Sequence, residues 1–98
     1  MIISIIDDGS SDDGVEIIKQ NYTLSEKFKL TQKANGGQLS TFNAGFKALD
    51  SESKIVLFLD ADDYMADGYI IKVVQTFIES ECDICFCDTI ITQNGEYT

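Results

Sequence analysis

The chain has 98 residues, with 17 Asp+Glu against 7 Lys+Arg, a formal net charge of −10, and no His, Pro or Trp. Hydrophobic residues make up 44%, as in a globular domain and too many for a disordered chain; the length bounds the chain to one small domain with one modest core. The missing His excludes a Ser-His-Asp triad, a Cys-His dyad and any His-ligated metal, and the acidic balance opposes nucleic acid and anionic membrane surfaces.

Ile2 to Ile6 is a β-branched run that stops at Asp7-Asp8-Gly9-Ser10, a buried strand followed by turn residues. Ser11 or Asp12 then caps a helix carrying Val15, Ile17, Ile18 and Tyr22, with Asp12, Asp13 and Glu16 at its dipole-positive end. Phe28 to Gln32 alternates as a more exposed strand, and Asn35-Gly36-Gly37 breaks it. Leu39, Phe42, Phe46 and Leu49 at helical spacing predict a helix over 38–50, and Gly45 inside it signals close backbone packing, because glycine there costs about 1 kcal/mol against Ala.

Ile55 to Leu59 is the most apolar run and predicts a central strand covered on both faces, ended by Asp60-Ala61-Asp62-Asp63. Ile70 to Ile78 predict a helix over 67–80, and Cys82 to Asp88 another strand. Within it Cys82, Cys85 and Cys87 read as core thiols: a closed zinc site needs four ligands, and neither a fourth Cys nor a His is present. Ile90 to Thr98, with Asn94-Gly95 inside, predicts a hairpin with a short second strand. The order β-α-β-α-β-α-β plus hairpin predicts an α/β fold, a mostly parallel sheet flanked by helices, as a single domain over 1–98.

In open α/β sheets ligands bind beyond the carboxyl ends of the strands. Two expected strands end in acids, Asp7-Asp8 and Asp60-Ala61-Asp62-Asp63, which parallel strands would bring to one edge. Carboxylates gathered there repel by several kcal/mol at protein-like dielectric. No basic residue adjoins either cluster in the sequence, so a divalent cation is the economical offset. In a strand-like segment residues i and i+2 project to one side, which lets Asp60 and Asp62 face one ion. Hard oxygen ligands suit Mg²⁺ or Mn²⁺, whose open positions take water and substrate phosphate. The implied ligand is a nucleotide diphosphate. Taken singly, each motif also has a plain structural reading: an Asx turn, a chance D-x-D, a loop.

Together, Ile-Ile-Asp-Asp-Gly-Ser-Ser-Asp (5–12), Asn-Gly-Gly-Gln-Leu-Ser-Thr-Phe-Asn-Ala-Gly (35–45) and Phe-Leu-Asp-Ala-Asp-Asp (58–63) resemble, in order and spacing, glycosyltransferase family 2. The resemblance covers essentially the whole chain. It implies a GT-A fold, a nucleotide-diphospho-sugar donor, a carbohydrate or glycolipid acceptor, inversion at the anomeric carbon and a role in polysaccharide or glycoconjugate synthesis. Position by position it implies nucleotide-sugar contacts at Asp7, Asp8, Asn35, Gly36, Gly37, Asn43 and Asp60, and Mn²⁺ or Mg²⁺ on Asp60 and Asp62, with Asp62 the firmer ligand. Family members often carry Arg where this chain has Phe42.

The resemblance also implies an opening strand ahead of residue 1 and a general base beyond Thr98, so the chain reads as the middle of a donor-binding domain, truncated at both ends. Alone it is expected to turn over little, and the unpaired sheet edges invite self-association. The alternative is a non-catalytic nucleotide-sugar-binding or structural remnant of such an enzyme. An aspartyl phosphatase fits less well, because Tyr64 stands where Thr or Val is usual, and a receiver-like domain lacks its downstream Lys. No apolar run reaches the roughly 20 residues of a membrane span, and no signal-peptide pattern opens the chain. Unpaired thiols point to the cytoplasm, with peripheral membrane attachment only through parts outside this chain.

Overall fold

A computed structural model describes residues 1–93, 96 and 97. The elements are β1 (Ile3–Asp7), α1 (Gly14–Asn21), β2 (Phe28–Gln32), α2 (Gln38–Lys47), α3 (Tyr69–Ser80), β3 (Thr92–Gln93) and β4 (Glu96–Tyr97). The chain divides into two compact units, Met1–Phe58 and Leu59–Thr98.

In the first unit β1 and β2 pair in parallel, from Ile3 opposite Phe28 to Asp7 opposite Gln32. With the intervening α1 this is the expected α/β arrangement, and β2 has the expected bounds. The ladder runs one residue further, because the Lys33 N–H donates to the Asp7 carbonyl at 2.9 Å. Helix α2 packs on β1. A Cβ added at Gly45 would lie 3.4 Å from Ile6 Cγ1, so the missing side chain sets how closely the helix approaches the strand.

Helix α1 starts later than the capping residues suggested. Asp13 holds the N-cap position without a side-chain bond, and the Asp12 carboxylate accepts the Gly14 N–H at 3.0 Å. That bond satisfies one of the amides a helix start leaves unpaired. Val15 is buried beneath α1, and Tyr22, just past its end, stacks on Phe28 at a ring distance of 5.3 Å. Helix α2 ends at Lys47 rather than 50. There Ala48 donates to both Ala44 and Gly45, and Leu49 donates to Phe46, so the turn tightens and stops.

The apolar run 55–59 departs from expectation. Residues 53–60 join no β-ladder, and Phe58 and Leu59 are 54% and 50% exposed. A strand exists only through its hydrogen-bonded neighbour. Among the described residues the ladders are β1–β2 and β3–β4, so this run has no partner.

The second unit contains α3, two residues shorter at its start than expected. Gly68 precedes it in the left-handed region, with φ 74°, and Val73 is buried. The expected strand over Cys82–Asp88 is also absent for want of a ladder partner. Its three thiols are free. Cys82 and Cys85 are half-buried, and Cys87 is exposed and accepts a hydrogen bond from the Tyr69 hydroxyl at 3.3 Å, so Cys87 is not the core thiol the pattern suggested. β3 and β4 pair antiparallel, Thr92 with Tyr97 and Gln93 with Glu96, while the expected Asn94-Gly95 turn lies outside the described residues.

The Ser4 hydroxyl on β1 is buried with no hydrogen-bond partner. Burying an unpaired hydroxyl opposes folding. Ser4→Ala is therefore expected to leave stability unchanged or raise it by up to about 1 kcal/mol in urea unfolding. A clear loss of stability would show that the hydroxyl is bonded in solution.

Candidate functional site

The carboxyl end of β1 is tied to the loop that follows β2. Asp8 sits at the centre. Its Oδ1 ion-pairs with Lys33 Nζ and accepts the Gly36 N–H at 3.0 Å, and its Oδ2 accepts the Gly37 N–H at 2.9 Å. The Asp8 carbonyl accepts from Asn35 Nδ2 at 3.0 Å. Lys33 Nζ also donates to the Ala34 carbonyl at 2.7 Å. The charged side chains of Lys33 and Asp8 are 19% and 24% exposed, so the pair is only partly wetted. Successive loop amides aimed at one carboxylate form an anion-holding nest, here filled by the chain's own side chain.

Two glycines make this closure possible. Gly9 has φ +75°, and a Cβ there would lie 2.8 Å from the Asn35 backbone nitrogen. At Gly36 a Cβ would lie 2.7 Å from Ser40 Oγ and 3.1 Å from Lys33 Nζ. Asp7 bonds locally instead, its Oδ1 accepting the Ser10 N–H at 3.3 Å. Asn43 is exposed on α2 and lines an open groove with Lys33, Gly36, Ser40 and Lys47.

The second acidic cluster lies in the other unit. Asp60, Asp62 and Asp63 each offer a carboxylate oxygen within 4.8 Å of the others. A turn gathers them, because the Asp63 N–H donates to the Asp60 carbonyl at 3.1 Å. Strand alternation, the reason the sequence suggested for pairing Asp60 with Asp62, does not operate here. The turn also adds Asp63, whose role the sequence left unassigned.

The structure thus brings together Asp8, Asn35, Gly36 and Gly37 in one set of hydrogen bonds, and Asp60 with Asp62 in another cluster. Sequence reasoning missed Lys33 as the cation beside the first cluster. The strand register reveals it: with Asp7 opposite Gln32, the residues that follow the two strands are Asp8 and Lys33. Phe42 meets Phe58 with ring centroids 5.1 Å apart, so the side chain preceding Asn43 has an apolar partner.

The model of the family described as glycosyl transferase family 2 matches residues 2–98. The chain belongs to that family. It is 40% identical over 80 residues to an uncharacterized glycosyltransferase of Nostoc sp., covering 81% of this chain and 24% of that protein. It is 31% identical over 96 residues to the uncharacterized glycosyltransferase YibD of Escherichia coli, covering 96% of this chain and 27% of that protein. The putative glycosyltransferase EpsH of Bacillus subtilis is 28% identical over 86 residues, 88% of this chain and 24% of EpsH. The chain therefore spans about a quarter of the length of the curated relatives it matches. No solved structure matches it. Among the described residues no helix is long and apolar enough to cross a membrane.

In this family member the Asp8 carboxyl is drawn down from 3.8 to about 2, first by the Lys33 hydrogen bond and then by the Gly36 and Gly37 amides, against the opposing effect of partial desolvation. A folded-state value below the unfolded one contributes stability above the unfolded pKa and loses it as pH falls through the folded value. The closure is thus expected to be complete above about pH 4, to weaken as pH falls below that, and to open as pH falls through about 2. Carboxyl carbon shifts of Asp8 and amide shifts of Gly36 and Gly37 should move together in that window. An ordinary aspartate midpoint, with the amides unmoved, would show that the closure does not form in solution.

Proposed function

We propose that this chain is the donor-binding part of a glycosyltransferase that moves a sugar from a nucleotide-diphospho-sugar to an acceptor hydroxyl with inversion and with help from a divalent metal. The observation that carries the reading is the turn at 60–63, which collects three carboxylates, Asp60, Asp62 and Asp63, in one place. The gathered hard oxygen donors are of the kind that Mn²⁺ or Mg²⁺ takes. Asp60 and Asp62 are the assigned holders, and when bound the metal neutralises negative charge on the diphosphate.

Asp7, Asp8, Asn35, Gly36, Gly37, Asn43 and Asp60 are assigned to the nucleotide-sugar. The closed loop supports this reading because its atoms are held in place before any ligand arrives, which lowers the ordering cost of binding. The acceptor is a carbohydrate or glycolipid hydroxyl, and the product belongs to polysaccharide or glycoconjugate synthesis. The location is cytoplasmic.

Titration calorimetry with UDP and Mn²⁺ tests the reading. Metal-dependent binding is expected, and Asp62→Asn should weaken it by on the order of tenfold or more. Binding that is indifferent to metal would remove the metal's role, and no binding at all would leave a structural remnant of the enzyme.

The apolar run 55–59 also supports association with a second copy of this chain. Among the described residues it joins no ladder, and its end is half exposed at Phe58 and Leu59. Apolar surface left in water favours association with another chain. Light scattering should show mass rising with concentration; a constant monomer mass at every concentration reached would sink the idea.

A further inference from the structure

The hydrogen bonds around Asp8 include a donor that the motifs do not contain. Lys33 is the residue after β2, and its backbone and side chain do different things. The backbone N–H extends the β1–β2 ladder by bonding Asp7. The side chain turns onto Asp8 Oδ1 and the Ala34 carbonyl. One residue thereby joins the end of β1, the end of β2 and the start of the loop.

Three residues of the 34–37 loop are fastened to one side chain and its backbone. Asn35, Gly36 and Gly37 are all exposed, and each of them donates a hydrogen bond to Asp8. Without a cation, the Asp8 carboxylate would keep only amide donors while standing next to Asp7. An ammonium at Oδ1 offsets that repulsion and orients the carboxylate, so that Oδ1 and Oδ2 meet successive amides. The fit is close: Lys33 Nζ lies 3.1 Å from where a Cβ on Gly36 would sit.

We propose that Lys33 is a positioning residue that, through Asp8, fixes the 34–37 loop against the end of β1 in the form that receives the donor. It acts through the loop and does not touch the reacting atoms. The consequence for donor affinity rests on the nucleotide-sugar reading above; the effect on the loop does not.

The test compares the full chain with Lys33→Met and Lys33→Arg. In Lys33→Met, amide exchange at Gly36 and Gly37 should accelerate while ladder amides of β1 and β2 keep their protection. The Asp8 carboxyl should titrate higher than in the unaltered chain. Affinity for UDP with Mn²⁺ should fall by on the order of tenfold, with Lys33→Arg recovering most of it. A uniform structural weakening would instead raise exchange across the ladder and leave Lys33→Arg no better than Lys33→Met, which would overturn the proposal. Unchanged exchange at Gly36 and Gly37 would overturn it too, as would a loosened loop with undiminished UDP affinity. Should the unaltered chain bind no UDP, the donor reading fails by itself, and the exchange and titration data still decide the effect on the loop. Lys33→Gln, which keeps a polar donor, serves as the second variant if Lys33→Met does not fold.

Discussion

The first unit is organised around one carboxylate. Asp8 follows the first strand and takes a lysine ammonium and two backbone amides from a segment nearly 30 residues later in the chain. These bonds are charge-assisted and partly shielded, conditions in which a polar contact holds its geometry. The rest of the unit is arranged so that they can form. The parallel register delivers Lys33 to the right level, Gly9 and Gly36 remove the side chains that would intervene, and Gly45 lets α2 settle on Ile6.

The apolar side is less complete. Val15 and Val73 are the buried hydrophobic residues among those described, while Phe58, Leu59, Ile84 and Phe86 stay substantially in water. The sequence reads as a sheet protein along 55–59 and 82–88, yet neither segment finds a ladder among the described residues. Burial of a parallel strand depends on neighbours on both edges and helices on both faces. Where those neighbours are missing, the same residues remain exposed despite their β-branched and aromatic character. Polar contacts at the strand end need only two segments, which is why the loop around Asp8 closes while the apolar run is not packed.

The elements legible in the sequence were those whose signal is local. Alternation over Phe28–Gln32 placed β2 at its observed bounds, and the glycine within the second helix pointed correctly to a close approach. Helix ends were less legible, since Asp13 holds the N-cap position while the Asp12 carboxylate takes the Gly14 amide, a division of roles that residue types alone do not specify. The D-x-D pairing was found for the wrong reason. Strand alternation and a four-residue turn can both bring Asp60 and Asp62 together, but only the turn also brings Asp63. Lys33 was not legible because it is 25 residues from Asp8 in sequence and meets it only across the β1–β2 ladder.

By itself the sequence determined the family, the α/β class and the identity of the acidic and glycine-rich motifs, because these are carried by residue order and by short-range periodicity. The tertiary structure decided which cation meets Asp8, how the acids at 60–63 are gathered, and which apolar segments acquire strand partners. Those outcomes depend on register and on backbone geometry that residue order leaves open. A ladder or an ion pair is a property of two segments at once, and neither segment read alone contains it.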